Sequence, residues 1–192
     1  MVIDLKRPVA PDPYSVLPPV PGFTLTSEDL TQGRPLKEPQ TAQGGSISPQ
    51  LSWSGFPDET KSFLLTCYDP DAPIEGGFWH WLVSDIPVGV TSIATGSTIS
   101  VVRAVANRLF GASSSIGISE ATDLPNSQGS LGYYGACPPK GDRVHRYFFA
   151  VHALGVQTLD LPHGRRTAPD LVAATAVPHI LARAVLMGTY HR

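Results

Sequence analysis

The side chains that could do chemistry together fall in two stretches of this 192-residue chain. The first is Asp69-Pro70-Asp71-Ala72-Pro73, followed seven residues later by His80. Each proline fixes its own φ and pushes the residue before it toward extended backbone. Asp69 and Ala72 are thereby biased away from helix, and two acids sit on a stiff loop beyond the apolar run Ser62 to Cys67. Surface loops of this kind are where binding and catalytic groups concentrate. The plainer reading is that the aspartates are turn residues capping backbone amides. The second stretch runs from a Gly/Pro loop, Gly132 to Gly141, into His145-Arg146-Tyr147. There the aromatic and β-branched content of Val144 to Val151 predicts a strand. Period-two geometry places His145, Tyr147 and Phe149 on one face and Arg146, Phe148 and Ala150 on the other.

Taken as one set, Asp69, Asp71, His80, His145 and Tyr147 could serve four ends. A metal site would use the histidines and carboxylates, but no HxH or HExxH spacing supports it. A hydrolase needs a nucleophile; Cys137 ahead of His145 is the candidate, and a Gly-x-Ser-x-Gly elbow is absent. An anion or headgroup site is the third. Imidazoles, a phenol and loop amides donate to phosphate oxygens, while carboxylates orient the imidazoles or meet an ammonium group. A zwitterionic phosphoethanolamine would use both signs. The fourth is an internal polar network that satisfies itself. The reading adopted is a non-enzymatic binding protein that needs no cofactor or metal.

Positioning those residues requires strands rather than long helices. Nineteen prolines, 18 glycines and only 16% charged residues predict a turn-rich, mostly β fold. The formal net charge of −2, without a dense Lys/Arg cluster, argues against nucleic acid as a partner. No run of eighteen apolar residues occurs, so no integral membrane segment is expected, and Met1 to Ala10 does not read as a signal peptide. Two cysteines without a CxxC pattern fit a cytoplasmic protein with free thiols.

Residues 1–21 carry six prolines and are expected to form an extended arm, with a single domain over 22–192. Phe23 to Thr26, Leu51 to Trp53, Ser62 to Cys67 and Phe78 to Ile86 read as strands. Alternation in the last sets His80, Leu82 and Ser84 against Trp79, Trp81 and Val83, so His80 faces away from both tryptophans. Ile99 to Ala106 reads as a strand. Leu109 to Asn126 reads as a Ser/Gly-rich loop with a helical turn near Ser119 to Leu124. The tail reads as helix over Leu171 to Met187, capped by Thr167, interrupted at Pro178 and stopped by Gly188.

At these motifs the chain closely resembles the phosphatidylethanolamine-binding protein family, also called the Raf kinase inhibitor protein family. The resemblance is to its bacterial and archaeal branch and spans roughly residues 20 to 192. Asp69 to Pro73 matches its DPDAP box, and Gly77-Phe78-Trp79-His80-Trp81 its Gly-x-x-His-Trp element. Gly135 to Gly141 with His145-Arg146-Tyr147 matches the Gly-x-x-Pro-Pro-x-Gly…His-Arg-Tyr element. The resemblance implies an antiparallel β-sandwich with Greek-key connections, finished here by short C-terminal helices. It also implies a small anion pocket lined by Asp69, Asp71, His80, His145 and Tyr147, with Pro73, Gly135 and Pro138 shaping its walls. A phosphate-bearing small molecule or lipid headgroup is the implied ligand. The alternative it carries is inhibition of a serine protease or kinase through the pocket rim. A homodimer is implied as well, which would give the arm and tail a partner. Ala136 stands where the family often has proline, and the chain ends at Arg192 without the extension that borders the pocket in eukaryotic members, which predicts a more open pocket.

Overall fold

The computed structural model describes residues 5–97 and 121–192. Its strands are β1 (Thr24–Thr26), β2 (Leu51–Ser54), β3 (Ser62–Asp69), β4 (Phe78–Pro87), β5 (Ser92–Ile93), β6 (Thr122–Asp123), β7 (His145–Leu154) and β8 (Ile180–Tyr190). All strand pairs are antiparallel, in a three-stranded sheet ordered β1-β2-β5 and a five-stranded sheet ordered β6-β4-β3-β7-β8. The chain passes from the small sheet to the large one after β2 and returns for β5, so the two sheets are stitched together across the core.

Burial on both faces explains why β3 reads as an unbroken apolar run. Phe63, Leu65 and Cys67 point between the sheets, where they meet Leu51, Trp53, Ile93, Tyr147 and Phe149. Leu64 points the other way, into a second cluster with Leu82, Leu154 and Val172. That outer face is covered by the one α-helix among the described residues, α1 (Pro169–Ala176), and by the proline-rich arm. Tyr14 of the arm stands edge-on to Phe148 and His152, with ring centroids 6.1 and 5.9 Å away, beneath the Arg183 guanidinium at 4.6 Å.

The expected C-terminal helix is the main correction. α1 begins at Pro169 with Ala168 as its N-cap and no side-chain cap, and Val177–His179 is a 3-10 turn that takes up Pro178. Ile180–Tyr190 is then a strand, paired along its length with β7. Gly188 does not stop a helix. It sits within β8, where a Cβ would come 2.5 Å from Leu36 Cδ2, because the 31–36 segment lies directly over it. The strand expected at Ile99 to Ala106 lies outside the described residues, as does most of the expected loop before Asn126. Thr122–Asp123 is a strand paired with β4 rather than part of a helical turn. Among the described residues no helix is long and apolar enough to cross a membrane.

Candidate functional site

Asp69 ends β3 on its inward face, and His145 opens the neighbouring β7 on the same face. The Asp69 carboxylate accepts from His145 Nδ1 at 2.7 Å. On the other side of the ring, His145 Nε2 donates to Asp142 Oδ2 at 2.9 Å. A carboxylate only accepts, so both ring nitrogens carry hydrogen and His145 is an imidazolium. Burial works against that charge, but the bonds and charges of Asp69 and Asp142 outweigh it and hold the pKa above its ordinary value. Burial raises the Asp69 carboxyl, with His145 pulling the other way.

Asp142 is buried as well, yet its pKa is lowered to about 2 by bonds from Arg7, His145 and the Arg143 amide. Arg7 of the arm grips it with Nη2 at 2.8 Å and Nη1 at 3.2 Å, and also donates to the Asp71 carbonyl. Asp71 therefore does not face the histidines. Its side chain takes Arg146 Nε at 2.7 Å, Nη2 at 2.8 Å and the Arg146 amide at 3.0 Å. The two acids of the loop part company, one for each face of β7.

His80 occupies a bulge. Cys67 pairs with Trp81 and Tyr68 with Trp79, which leaves His80 as the extra residue of β4. The bulge overturns the expected alternation. His80 faces away from Trp79, whose ring leans at 41° against Tyr68 outside with centroids 4.4 Å apart, but Trp81 belongs to the same inner cluster as Tyr147. The His80 ring lies 5.1 Å from that of Tyr147, edge-on. Burial lowers the His80 pKa to about 4; its bond to Tyr134 opposes the shift and the charge of His145 adds to it. The neutral ring donates Nδ1–H to the Tyr134 carbonyl at 2.6 Å, so Nε2 is an acceptor. This differs from the expectation that both histidines would donate to an anion.

Tyr147 is fully buried, and its hydroxyl has no hydrogen-bond partner among the described residues. Burial pushes the phenol far above its ordinary range, leaving a neutral O–H. Gly135 holds the facing loop at close quarters: a Cβ there would come 2.4 Å from the Thr41 carbonyl carbon and 2.5 Å from the Ala42 nitrogen. Gly135→Ala is accordingly expected to cost about 1–3 kcal/mol in urea unfolding, since neither contact is a flexible side-chain tip. The Pro138 carbonyl accepts from Arg192 Nε at 2.7 Å, which anchors the same loop to the C-terminus. Pro73 lies half-buried in the aspartate loop.

The structure thus brings Asp69 and His145 into contact and sets His80 beside Tyr147. Asp71 turns toward Arg146. Sequence reasoning did not single out Asp142, Arg146 or Arg7 as members of the site. Asp142 carried a readable signal, as a third acid three residues before His145 in a loop. Arg7 carried none, being 135 positions from its partner.

With this geometry in place, comparison with known proteins is decisive. The family model described as phosphatidylethanolamine-binding protein matches residues 26–191. The chain belongs to that family. It is 36% identical to YbcL of Escherichia coli over 180 residues, covering 88% of this chain and 87% of the relative. It is likewise 36% identical to YbhB of the same organism, over 86% of this chain and 98% of YbhB. The crystal structure of YbcL, described as a new member of the mammalian family, superposes with a TM-score of 0.73, and a Chlamydia trachomatis homolog with 0.70. They cover 88% and 89% of this chain, and 98% of each relative, at 35% and 32% identity. The expected family and fold are therefore those of this phosphatidylethanolamine-binding protein family member, in its bacterial and archaeal branch.

Proposed function

We propose that this chain is a binding protein, not an enzyme, whose inner site accepts a phosphate-bearing group such as an ethanolamine phosphate headgroup. The observation that carries the reading is the buried Tyr147 hydroxyl, which has no partner among the described residues, on a ring that lies beside His80. An unmet buried hydroxyl costs about 1–3 kcal/mol, and a ligand oxygen that accepts from it removes that cost. His80 Nε2 supplies the complementary half, an acceptor for an ammonium or a phosphate hydroxyl. His145 supplies positive charge.

In this reading Asp142, held by Arg7, is an internal anion standing on His145 Nε2 where a ligand oxygen would come. The arm then regulates access, because Arg7 fastens Asp142 in place. The same contacts support a non-enzymatic reading, since both His145 nitrogens are taken by carboxylates and neither is left to serve Cys137 as a base.

Calorimetric titration with phosphoethanolamine tests the proposal. Asp142→Asn is expected to tighten binding about tenfold or more, since it removes the competing charge while Arg7 stays cationic and Asp69 still supports the charge on His145. Tyr147→Phe is expected to weaken it about tenfold without loss of stability, since the hydroxyl bonds nothing in the free protein. Equal affinities in the three proteins would overturn the assignment. Absence of heat in all three would leave inhibition of a protease or kinase through the rim as the better reading.

A further inference from the structure

The outer face of the large sheet carries a cleft that the polar site does not use. It has a volume of about 660 Å³ and lies between β3, β4 and β7 on its floor, α1 on one side and the proline-rich arm on the other. Leu64 and Trp79 belong to the floor, Ala173 to the helix wall and Leu17 to the arm. Inward and outward residues alternate along β3, so this cleft and the Asp69–His145 pair lie on opposite faces of one sheet. The aspartate loop and Arg7 are common to both: the loop contributes Pro70 and Ala72 here rather than its acids, and the Arg7 guanidinium is turned to Asp142 and the Asp71 carbonyl.

The polar groups of the cleft are already paired. Arg183 Nε donates to His152 Nδ1 at 3.2 Å, so the neutral imidazole carries its hydrogen on Nε2 and donates to Thr66 Oγ1 at 3.3 Å. Tyr68 donates to the Gly76 carbonyl at 2.8 Å and Trp79 Nε1 to Asp170 at 2.7 Å. What these side chains still offer a ligand is apolar surface. The volume falls within the roughly 300–1,000 Å³ of small-molecule sites. Part of the wall is the chain's own arm, so the space is shaped for a small molecule rather than a flat protein face.

We propose that this cleft is a second binding site, for the alkyl chain of an amphiphile. Each methylene transferred from water raises affinity about fourfold, and no charged group of the ligand needs to be buried. The site does not require the phosphate reading, although Arg7 and the arm border both.

Fluorescence titration of the full chain with the neutral probe N-phenyl-1-naphthylamine, followed by displacement, provides the test. Saturable enhancement at one probe per chain is expected, with displacement by 1-dodecanol if free chains enter and by lysophosphatidylcholine if headgroup-bearing ones do; either supports the site. Ala173→Trp, which fills the cleft, and Leu17→Glu, which charges its arm wall, should each weaken the probe about tenfold or more. Leu17 lies outside every strand and helix, so its variant remains informative should Ala173→Trp fail to fold. Saturating phosphoethanolamine should not compete the probe out, which should still saturate at one per chain. Displacement by phosphoethanolamine, or full affinity in both variants, would overturn the proposal. So would sedimentation showing a dimer that both substitutions dissolve, since a second copy would then be what covers the cleft.

Discussion

Acidification from pH 6.5 to pH 4 is expected to remove several kcal/mol of folding free energy, because two histidines are buried uncharged. Burial holds His80 down to about 4. Burial, reinforced by the positive charge of Arg183, holds His152 down to about 3. The unfolded chain takes up a proton on each ring near 6.5, whereas the folded chain keeps both rings neutral until pH falls to about 4, where His80 begins to charge. The unfolded state therefore binds more protons, and stability falls with pH by about 3 kcal/mol for each ring. His145 has the opposite sign. Its folded pKa is raised, so its contribution is complete below 6.5 and is lost as pH rises through the folded value. Asp142 extends the acid loss: its folded pKa of about 2 lies below the ordinary 3.8, so its contribution disappears as pH falls from about 4 to about 2. Urea midpoints at pH 7, 5.5 and 4 should decline steeply. His152→Gln, which keeps an acceptor for Arg183 and a donor for Thr66, should remove about half of that slope. An unchanged slope would mean that His152 is not the neutral ring its contacts with Arg183 and Thr66 describe.

The parts of the molecule legible in the sequence are those in which local pattern and tertiary outcome agree. β3 and β7 announce themselves because burial on two faces makes nearly every residue apolar, and the prolines flanking Asp69 and Asp71 do set a stiff loop at a strand end. Bulges are not written in period two: nothing in Phe78-Trp79-His80-Trp81 marks His80 as the residue that slips, yet the slip brings it against Tyr147. The tail misled for a different reason. Alanines and a capping-like Thr167 satisfy helix rules, and Pro178 can be excused as a kink. Ala182, Ala184, Leu186 and Gly188 nevertheless alternate with Arg183, Val185, Met187 and Thr189, and that alternation is the one β7 pairs with. Small residues suit a strand crossed by the 31–36 segment as well as they suit a helix. The Arg7–Asp142 contact lies beyond any local rule, since loop closure over that separation leaves no trace in spacing.

Asp71→Ala is expected to cost about 3 kcal/mol in chemical unfolding, although the sequence pairs this residue with Asp69 as a ligand group. The carboxylate accepts three hydrogen bonds from Arg146, two from the guanidinium and one from the backbone amide. Without it the guanidinium keeps the Ala10 carbonyl at 2.7 Å, a position 5.6 Å over the Phe148 ring and the more distant charges of Asp12 and Asp69. The side chain of Arg146 remains about a quarter exposed, at 24%, which places the loss near the lower end of the range for breaking buried pairs. Arg146→Ala should cost less than Asp71→Ala, because a lone Asp71 can still cap the backbone amide. The double variant should fall well short of the sum, since the pair can be lost only once. Phosphoethanolamine affinity should change little in Asp71→Ala at temperatures where it is folded, because its carboxylate is taken up by Arg146 on the far side of β7. A large loss of affinity in a folded Asp71→Ala protein would show that Asp71 leaves Arg146 when ligand arrives. The stability of the loop and the strength of binding would then be drawn from the same carboxylate, and would have to vary together.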